Sequence, residues 1–155
     1  MQKDFSKQLI KGKIAELIFD QMFRRVGEYT VIPFGYETII PELMQYADQA
    51  DQRELINNIR SAPDFALVHH LPKQVLLIEV KYRSRIDMEE IKKTAKQICG
   101  KWKLVWLFIA TPEGFYLDSC ADLEERNQLT SLSTDMVPAE VQNEFLLLIK
   151  DFIRA

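Results

Sequence analysis

Two short apolar segments joined by a turn constrain the fold of this chain more than any other feature. Residues 62–68 and 75–83 are mostly apolar and include the β-branched residues Val68, Val75, Ile78 and Val80, whereas the connector at 71–74 contains Pro72 and polar residues. This pattern predicts a β-hairpin. Because successive strand residues point to opposite faces, Glu79 and Lys81 are expected on one face and Ile78, Val80 and Tyr82 on the other.

Charged side chains at the end of this predicted hairpin need a partner. A carboxylate and an ammonium on an otherwise apolar strand are costly to bury unless they pair or meet a ligand. Asp64, at the mouth of the first strand, supplies a natural third charge beside Glu79 and Lys81. Two interpretations are open from the residues alone, a ligand site and a surface salt-bridge cluster at a sheet end.

The order and spacing of these residues resemble a known family. Pro63-Asp64, followed fifteen residues later by Glu79-Val80-Lys81 on the second strand of a hairpin, resembles the PD-(D/E)xK nuclease superfamily. That superfamily includes restriction endonucleases and archaeal-type Holliday junction resolvases. The upstream segment 11–16, with the sequence KGKIAE, is similar to the first helix of the resolvase-like branches. The resemblance extends from about residue 12 to about residue 97.

The resemblance implies a fold, an activity and a cofactor. The expected fold is α/β and restriction endonuclease-like, with a central mixed sheet of four to five strands flanked by helices in one domain over residues 1–155. The expected activity is Mg²⁺-dependent hydrolysis of phosphodiester bonds in DNA, including branched or damaged structures, with Mn²⁺ able to substitute. The implied catalytic residues are Glu16, Asp64, Glu79 and Lys81, and the implied metal ligands are Asp64, Glu79, the Val80 carbonyl and Glu16.

The chemistry explains why such residues occur together. A divalent cation neutralises the phosphate and lowers the pKa of a bound water, and magnesium is commonly held by one or two carboxylates. Lys81, on the same face as Glu79, is placed either to remove a proton from the attacking water or to position that water. Both roles are open at this point, as is the number of metal ions.

The charge distribution indicates where a nucleic acid would bind. Residues 73–103 contain nine Lys or Arg and four Asp or Glu, whereas residues 104–155 contain three and nine. A basic segment around the predicted site suits contact with a phosphate backbone on one face, although a solvated helix surface explains the same charges. The predicted nucleic-acid contacts are Tyr82, Arg83, Arg85, Lys93, Lys96 and Gln97.

A second interpretation is a catalytically silent nuclease-fold module that binds nucleic acid or a protein partner. The sequence pI of about 5.5 and the acidic segment 122–125 in the C-terminal third favour it. The complete charged set of Asp64, Glu79 and Lys81 favours catalysis, because a module without chemistry need not keep three costly charges together. Phosphodiester chemistry does not itself distinguish DNA from RNA. Cleavage of both strands of a symmetrical substrate favours a homodimer.

The remaining sequence predicts a globular protein of ordinary size. The 155 residues fit one domain, and no apolar run approaches the roughly 20 residues that span a bilayer. The start lacks the apolar core of a signal peptide, and Cys99 and Cys120 lack zinc spacing, so a cytoplasmic protein with reduced thiols is expected.

Periodicity predicts the remaining helices and strands. Helices are expected at 3–25, 86–99 and 138–153, with partial helix at 41–58, and strands at 29–34, 103–110 and 115–118. The helix between the second hairpin strand and the strand at 103–110 should make those two strands parallel. The predicted buried stripes are Leu9, Ile10, Ile14, Leu17, Ile18, Met22 and Phe23 in the first helix, and Val141, Phe145, Leu148, Ile149 and Phe152 in the last.

Overall fold

Among the residues that the structure describes, the fold consists of one sheet and four named helices, with a further helical stretch at 52–55. A computed structural model of the chain describes residues 2–34, 49, 52–55 and 61–154. The elements, numbered in chain order, are α1 (Gln2–Val26), β1 (Tyr29–Pro33), β2 (Phe65–His69), β3 (Gln74–Tyr82), α2 (Met88–Cys99), β4 (Val105–Thr111), β5 (Gly114–Ser119), α3 (Cys120–Glu125) and α4 (Ala139–Arg154). Most of the helical segment predicted at 41–58 lies outside the described residues.

The five strands form one mixed sheet in the order β1-β2-β3-β4-β5. The predicted hairpin is confirmed, since β2 and β3 pair antiparallel with Phe65 opposite Ile78. The predicted parallel pair is also confirmed, because β3 and β4 run in the same direction and α2 makes the crossover between them. β1 lies at the sheet edge, as its terminal Pro33 predicts.

Helix α1 covers one face of the sheet with an aromatic cluster. The Phe19 ring lies at the centre, with ring centroids 4.6 Å from Phe23, 5.1 Å from Phe65 and 5.0 Å from Phe108. Gly27 ends the helix with φ of +82°, a left-handed conformation that glycine adopts without steric cost. Residues 4–10 are exposed throughout, so only the later turns of α1 meet the core.

The predicted stripe of α1 is therefore partly wrong. Leu9, Ile10 and Leu17 are each more than half exposed, whereas Ala15 and Phe19 are fully buried. The helical period marks apolar positions correctly, but residues 4–10 belong to neither of the buried clusters that the described residues form. The buried face of α1 thus begins near Ala15.

The opposite face of the sheet is covered by α2 and α3. Their buried residues pack against alternate residues of β4 in a second core cluster, which comprises Ile91, Ala95, Val105, Leu107, Ile109, Cys120 and Leu123. Asp87 caps α2, because its Oδ1 accepts hydrogen bonds from the Glu89 and Glu90 backbone N–H groups. This cap explains why the helix begins at Met88 and not at the predicted residue 86. The predicted double covering of β4 is confirmed.

Helix α4 returns to the face that α1 covers. Phe145 and Ile149 are buried there, whereas Leu148 and Phe152 of the predicted stripe are exposed, because the contact with the core is narrower than the apolar face. Arg25 of α1 lies 3.3 Å from Glu144 across the two helices. No helix among the described residues is long and apolar enough to cross a membrane.

Candidate active site

The hairpin brings two predicted site residues side by side. Because Phe65 pairs with Ile78, the preceding residue Asp64 lies beside Glu79, at the point where β2 begins and β3 continues to Tyr82. Hydrogen bonds hold both the backbone and the side chain of Asp64 in place. Its carbonyl accepts a hydrogen bond from the Phe34 N–H (2.8 Å), and its Oδ2 accepts one from the Val80 N–H (2.8 Å).

Strand alternation separates the charged residues of β3 from the aromatic core. Val80 and Tyr82 join the cluster under α1, whereas Glu79 and Lys81 point to the face covered by α2. The Lys81 Nζ lies 3.1 Å from the Glu79 Oε1. The Lys81 side chain is 35% exposed and that of Glu79 is 16% exposed, so the ion pair faces solvent mainly through the lysine. The predicted division of β3 into two faces is confirmed.

A third carboxylate comes from α1. Glu16 follows the fully buried Ala15 and stays partly exposed, with its Oε2 3.3 Å from the Lys13 Nζ. Its charge contributes to raising the pKa of both Asp64 and Glu79, so the helix carboxylate lies within electrostatic range of the hairpin pair. Three segments that are distant in sequence therefore contribute acidic groups to one place.

These residues line a single open cleft of about 950 Å³. The lining includes all four predicted catalytic residues, Glu16, Asp64, Glu79 and Lys81, together with Val80. Such a volume falls in the range of binding sites for small molecules or for a few units of a polymer. The structure thus brings the predicted catalytic set together in a cleft.

The predicted nucleic-acid contacts divide into two groups. Four of them line the cleft: Tyr82, Arg83, Lys96 and Gln97. Arg85 lies in the exposed connection before α2, and Lys93 is exposed on α2; neither belongs to the lining. The last turn of α2 therefore faces the cleft, whereas its middle turn does not.

Some lining residues were not foreseen from the sequence. Gln8 and Gly12 of α1 line the cleft, as do Ser61 and Lys101. The spacing of four residues from Gln8 to Gly12 and from Gly12 to Glu16 places all three on one helix face, a signal that could have identified them. Ser61 and Lys101 lie outside the regular elements, and no comparable periodicity marks them.

Two carboxyl groups of the cleft, Asp64 and Glu79, have raised pKa values. Burial, followed by the negative charge of Glu79, raises the pKa of Asp64 to about 7, although the Val80 hydrogen bond and Lys81 oppose the shift. Burial also raises the pKa of Glu79, against the lowering effect of Lys81. One ammonium group therefore does not compensate for the concentrated acidic groups. A proton or a bound cation is needed to relieve the repulsion.

Arg83 is already held by neighbouring groups. Its Nη1 donates a hydrogen bond to the Tyr82 carbonyl (2.8 Å), and its Nε lies 2.8 Å from the Glu90 Oε1, an ion pair without hydrogen-bond alignment. A phosphate at Arg83 would compete with Glu90. The Lys11 Nζ lies 5.5 Å from the centre of the Tyr82 ring, and the buried Tyr82 hydroxyl has no hydrogen-bond partner among the described residues.

The cleft offers few side-chain donors to a metal ion. Among the described residues, no group of three His, Cys, Asp or Glu side chains is arranged to hold a metal ion on its own. Asp64 and Glu79 nevertheless provide two hard oxygen donors, and magnesium commonly takes only one or two carboxylates and keeps several waters.

Searches against protein-family models, curated proteins and solved structures find no match for this chain.

Proposed function

We propose that this chain is a metal-dependent nuclease with a restriction endonuclease-like fold, which hydrolyses phosphodiester bonds in DNA. The observation that supports the proposal most is the convergence of Glu16, Asp64, Glu79 and Lys81 on one cleft. The sequence resemblance concerns the same residues. The mixed sheet, with α1 and α2 on opposite faces, is compatible with the proposed fold.

The donor atoms of the cleft suit Mg²⁺ or Mn²⁺. Asp64 and Glu79 would hold the cation, with the Val80 carbonyl and Glu16 as further oxygen donors. A bound cation would neutralise the phosphate and lower the pKa of an attacking water. The raised pKa values of Asp64 and Glu79 support this assignment, because a divalent cation is the partner that lets both carboxylates ionise together.

The remaining groups position the reactants. The Val80 N–H holds the Asp64 side chain by its Oδ2, which fixes the carboxylate relative to Glu79. Lys81 donates to Glu79 and still reaches the cleft, so its ammonium group can orient a water and stabilise the charge that develops on the phosphate. An ammonium that already pairs with a carboxylate favours this role over proton removal.

Basic side chains on the α2 side of the cleft suit a polyanionic substrate. Lys96 and Lys101 line the cleft there, and the α1 residues Gln8 and Gly12 line it as well. Contacts from lysine to phosphate oxygens contribute affinity that is independent of sequence and that falls with added salt. The substrate backbone would therefore lie between α1 and the end of α2.

The test is cleavage of a panel of nucleic acids by the wild type and by Lys81→Gln. The panel comprises linear duplex, single strand, flap, four-way junction and RNA, each with Mg²⁺, Mn²⁺ or EDTA. Glutamine keeps much of the length of lysine and can still donate to Glu79, so we expect a folded variant with cleavage reduced about a hundredfold or more. Thermal unfolding of the variant checks the fold.

Lys73→Gln is the matched control, because it makes the same change at the far end of the hairpin, in the β2–β3 turn. Cleavage that requires metal, survives Lys73→Gln and is lost in Lys81→Gln would support the proposal. Equal cleavage by the wild type and Lys81→Gln, or no cleavage of any substrate by the wild type with either metal, would contradict it.

A further inference from the structure

A glycine in the middle of α1 has no structural explanation within the described residues. Gly12 lies far from both ends of the 25-residue helix, where glycine is unfavourable compared with alanine. Its φ is not positive, and a Cβ built on it would meet nothing within 4 Å. Neither packing nor backbone conformation therefore requires glycine at this position.

What the glycine does provide is open space on the wall of the cleft. Gly12 belongs to the cleft lining and precedes Glu16 by four residues, about one helical turn or 5.4 Å along the axis. A side chain at position 12 would project into a volume that the described residues leave empty. Glycine in such a place allows another molecule to approach the helix backbone closely.

Tyr82, which lines the same cleft, has a second feature that lowers stability without a structural reason among the described residues. Tyr82 is 6% exposed, and its buried hydroxyl has no hydrogen-bond partner among the described residues. The residue lines the same cleft as Gly12, and its ring lies 5.5 Å from the Nζ of Lys11, the residue before that glycine. Buried polar groups are nearly always paired, so the unpaired hydroxyl of a residue that lines the cleft indicates a missing partner.

The charge around this wall indicates the chemistry of that partner. Lys11 lies next to Gly12, and Lys96 and Lys101 line the cleft as well. An anionic chain bordered by these lysines would present acceptor oxygens to the Tyr82 hydroxyl. One turn further along α1, the same chain would reach Glu16 and the hairpin carboxylates.

We propose that Gly12 and Tyr82 form a backbone subsite, in which the sugar-phosphate backbone of the DNA strand lies directly against α1. This subsite rests on the proposed nuclease function and specifies where the substrate backbone binds. The glycine allows the close approach, and the tyrosine hydroxyl donates to a backbone oxygen. Both residues then lower the stability of the free protein and contribute to substrate binding, a known trade-off at functional sites.

The experiment compares stability and DNA binding in Gly12→Ala, Gly12→Leu and Tyr82→Phe. Binding of a fluorescently labelled DNA oligonucleotide is measured by anisotropy with Mg²⁺ in the Lys81→Gln background, which keeps the substrate intact. We expect Gly12→Ala to raise the melting temperature by about 2–4 °C. We expect its dissociation constant for DNA to rise about tenfold, with a larger rise for Gly12→Leu. Tyr82→Phe should also bind more weakly without loss of thermal stability.

Gln21→Ala is the control for helix propensity, since Gln21 is exposed on α1 and lies outside the cleft lining. Unchanged DNA affinity in Gly12→Leu would overturn the subsite and leave the nuclease proposal standing if the wild type cleaves DNA. A lower melting temperature for Gly12→Ala would also overturn it, because the glycine would then serve the fold. A wild type that neither binds nor cleaves DNA would overturn both proposals.

Discussion

Asp64→Asn should stabilise the metal-free protein at pH 8, by an amount that shrinks as the pH falls towards 4. The substitution keeps the shape of the side chain and an oxygen that can accept from the Val80 N–H. What it removes is the ionisable proton. Because the pKa of Asp64 is raised from 3.8 to about 7 in the folded chain, folding favours the protonated form of this carboxyl group.

The sign of the effect follows from linkage. A folded-state pKa above the unfolded value gives a contribution that is fully present below about pH 4 and is lost as the pH rises through about 7. One pKa unit corresponds to about 1.4 kcal/mol, so a shift of about three units corresponds to about 4 kcal/mol. At pH 8 the wild type has lost this contribution, whereas Asp64→Asn, which carries no charge, has not.

The assay is urea unfolding of both proteins in EDTA at pH 5 and pH 8. We expect the free energy of unfolding of Asp64→Asn to exceed that of the wild type by about 2–4 kcal/mol at pH 8 and by much less at pH 5. Added Mg²⁺ should then stabilise the wild type more than the variant, because a ligand that binds only the folded state raises its stability.

Asp118→Asn provides the matched control. Asp118 is also buried and its Oδ2 accepts a hydrogen bond from the Thr130 N–H, but its Oδ1 lies 3.7 Å from Arg126. Removing this paired charge should destabilise the protein at pH 8. A loss of stability for Asp64→Asn that is equal at both pH values would refute the reasoning, because the Asp64 carboxylate would then contribute to stability.

Two further predictions concern the metal and the core. Mg²⁺ affinity, measured by calorimetry in buffers of different ionisation enthalpy, should rise between pH 6 and pH 8 with release of protons, because Asp64 and Glu79 have raised pKa values; a pH-independent affinity would contradict this. Phe19→Ala should lower the free energy of unfolding by about 3–5 kcal/mol, since it empties the aromatic centre of the core. The exposed Phe5→Ala should change that energy by less than about 0.5 kcal/mol, and equal losses would contradict the assigned core.

Local patterns in the sequence were sufficient to predict the sheet. The hairpin and the two faces of β3 follow from alternation over a few residues, which depends little on distant parts of the chain. The direction of β4 followed from the helix between it and β3. The short helix α3 was not predicted, because its six residues lie in a polar, acidic segment and only Cys120 and Leu123 are buried.

The limits of the sequence lie where distant segments meet. Leu9 and Leu17 have the right spacing for a buried stripe, yet only the folded chain shows which turns of α1 are covered. The phosphate contact of Arg83 stays a prediction, but the structure also places Glu90 beside its guanidinium group, a contact that the sequence did not indicate. Such contacts depend on the relative positions of strand and helix, which no local period encodes.

The electrostatic balance of the cleft favours a ligand site over a structural salt-bridge cluster, the alternative that the sequence left open. A structural cluster neutralises itself, as Asp118 does with the Thr130 N–H and Arg126. In the cleft, Lys81 pairs with Glu79, yet Asp64 keeps a pKa of about 7 beside two further carboxylates. Burying acidic groups without enough cations costs stability, and this cost is understandable if a cation from outside the chain completes the site. The same argument applies to Gly12 in the cleft lining, because a glycine inside a helix, like the buried acidic groups, lowers the stability of the free protein.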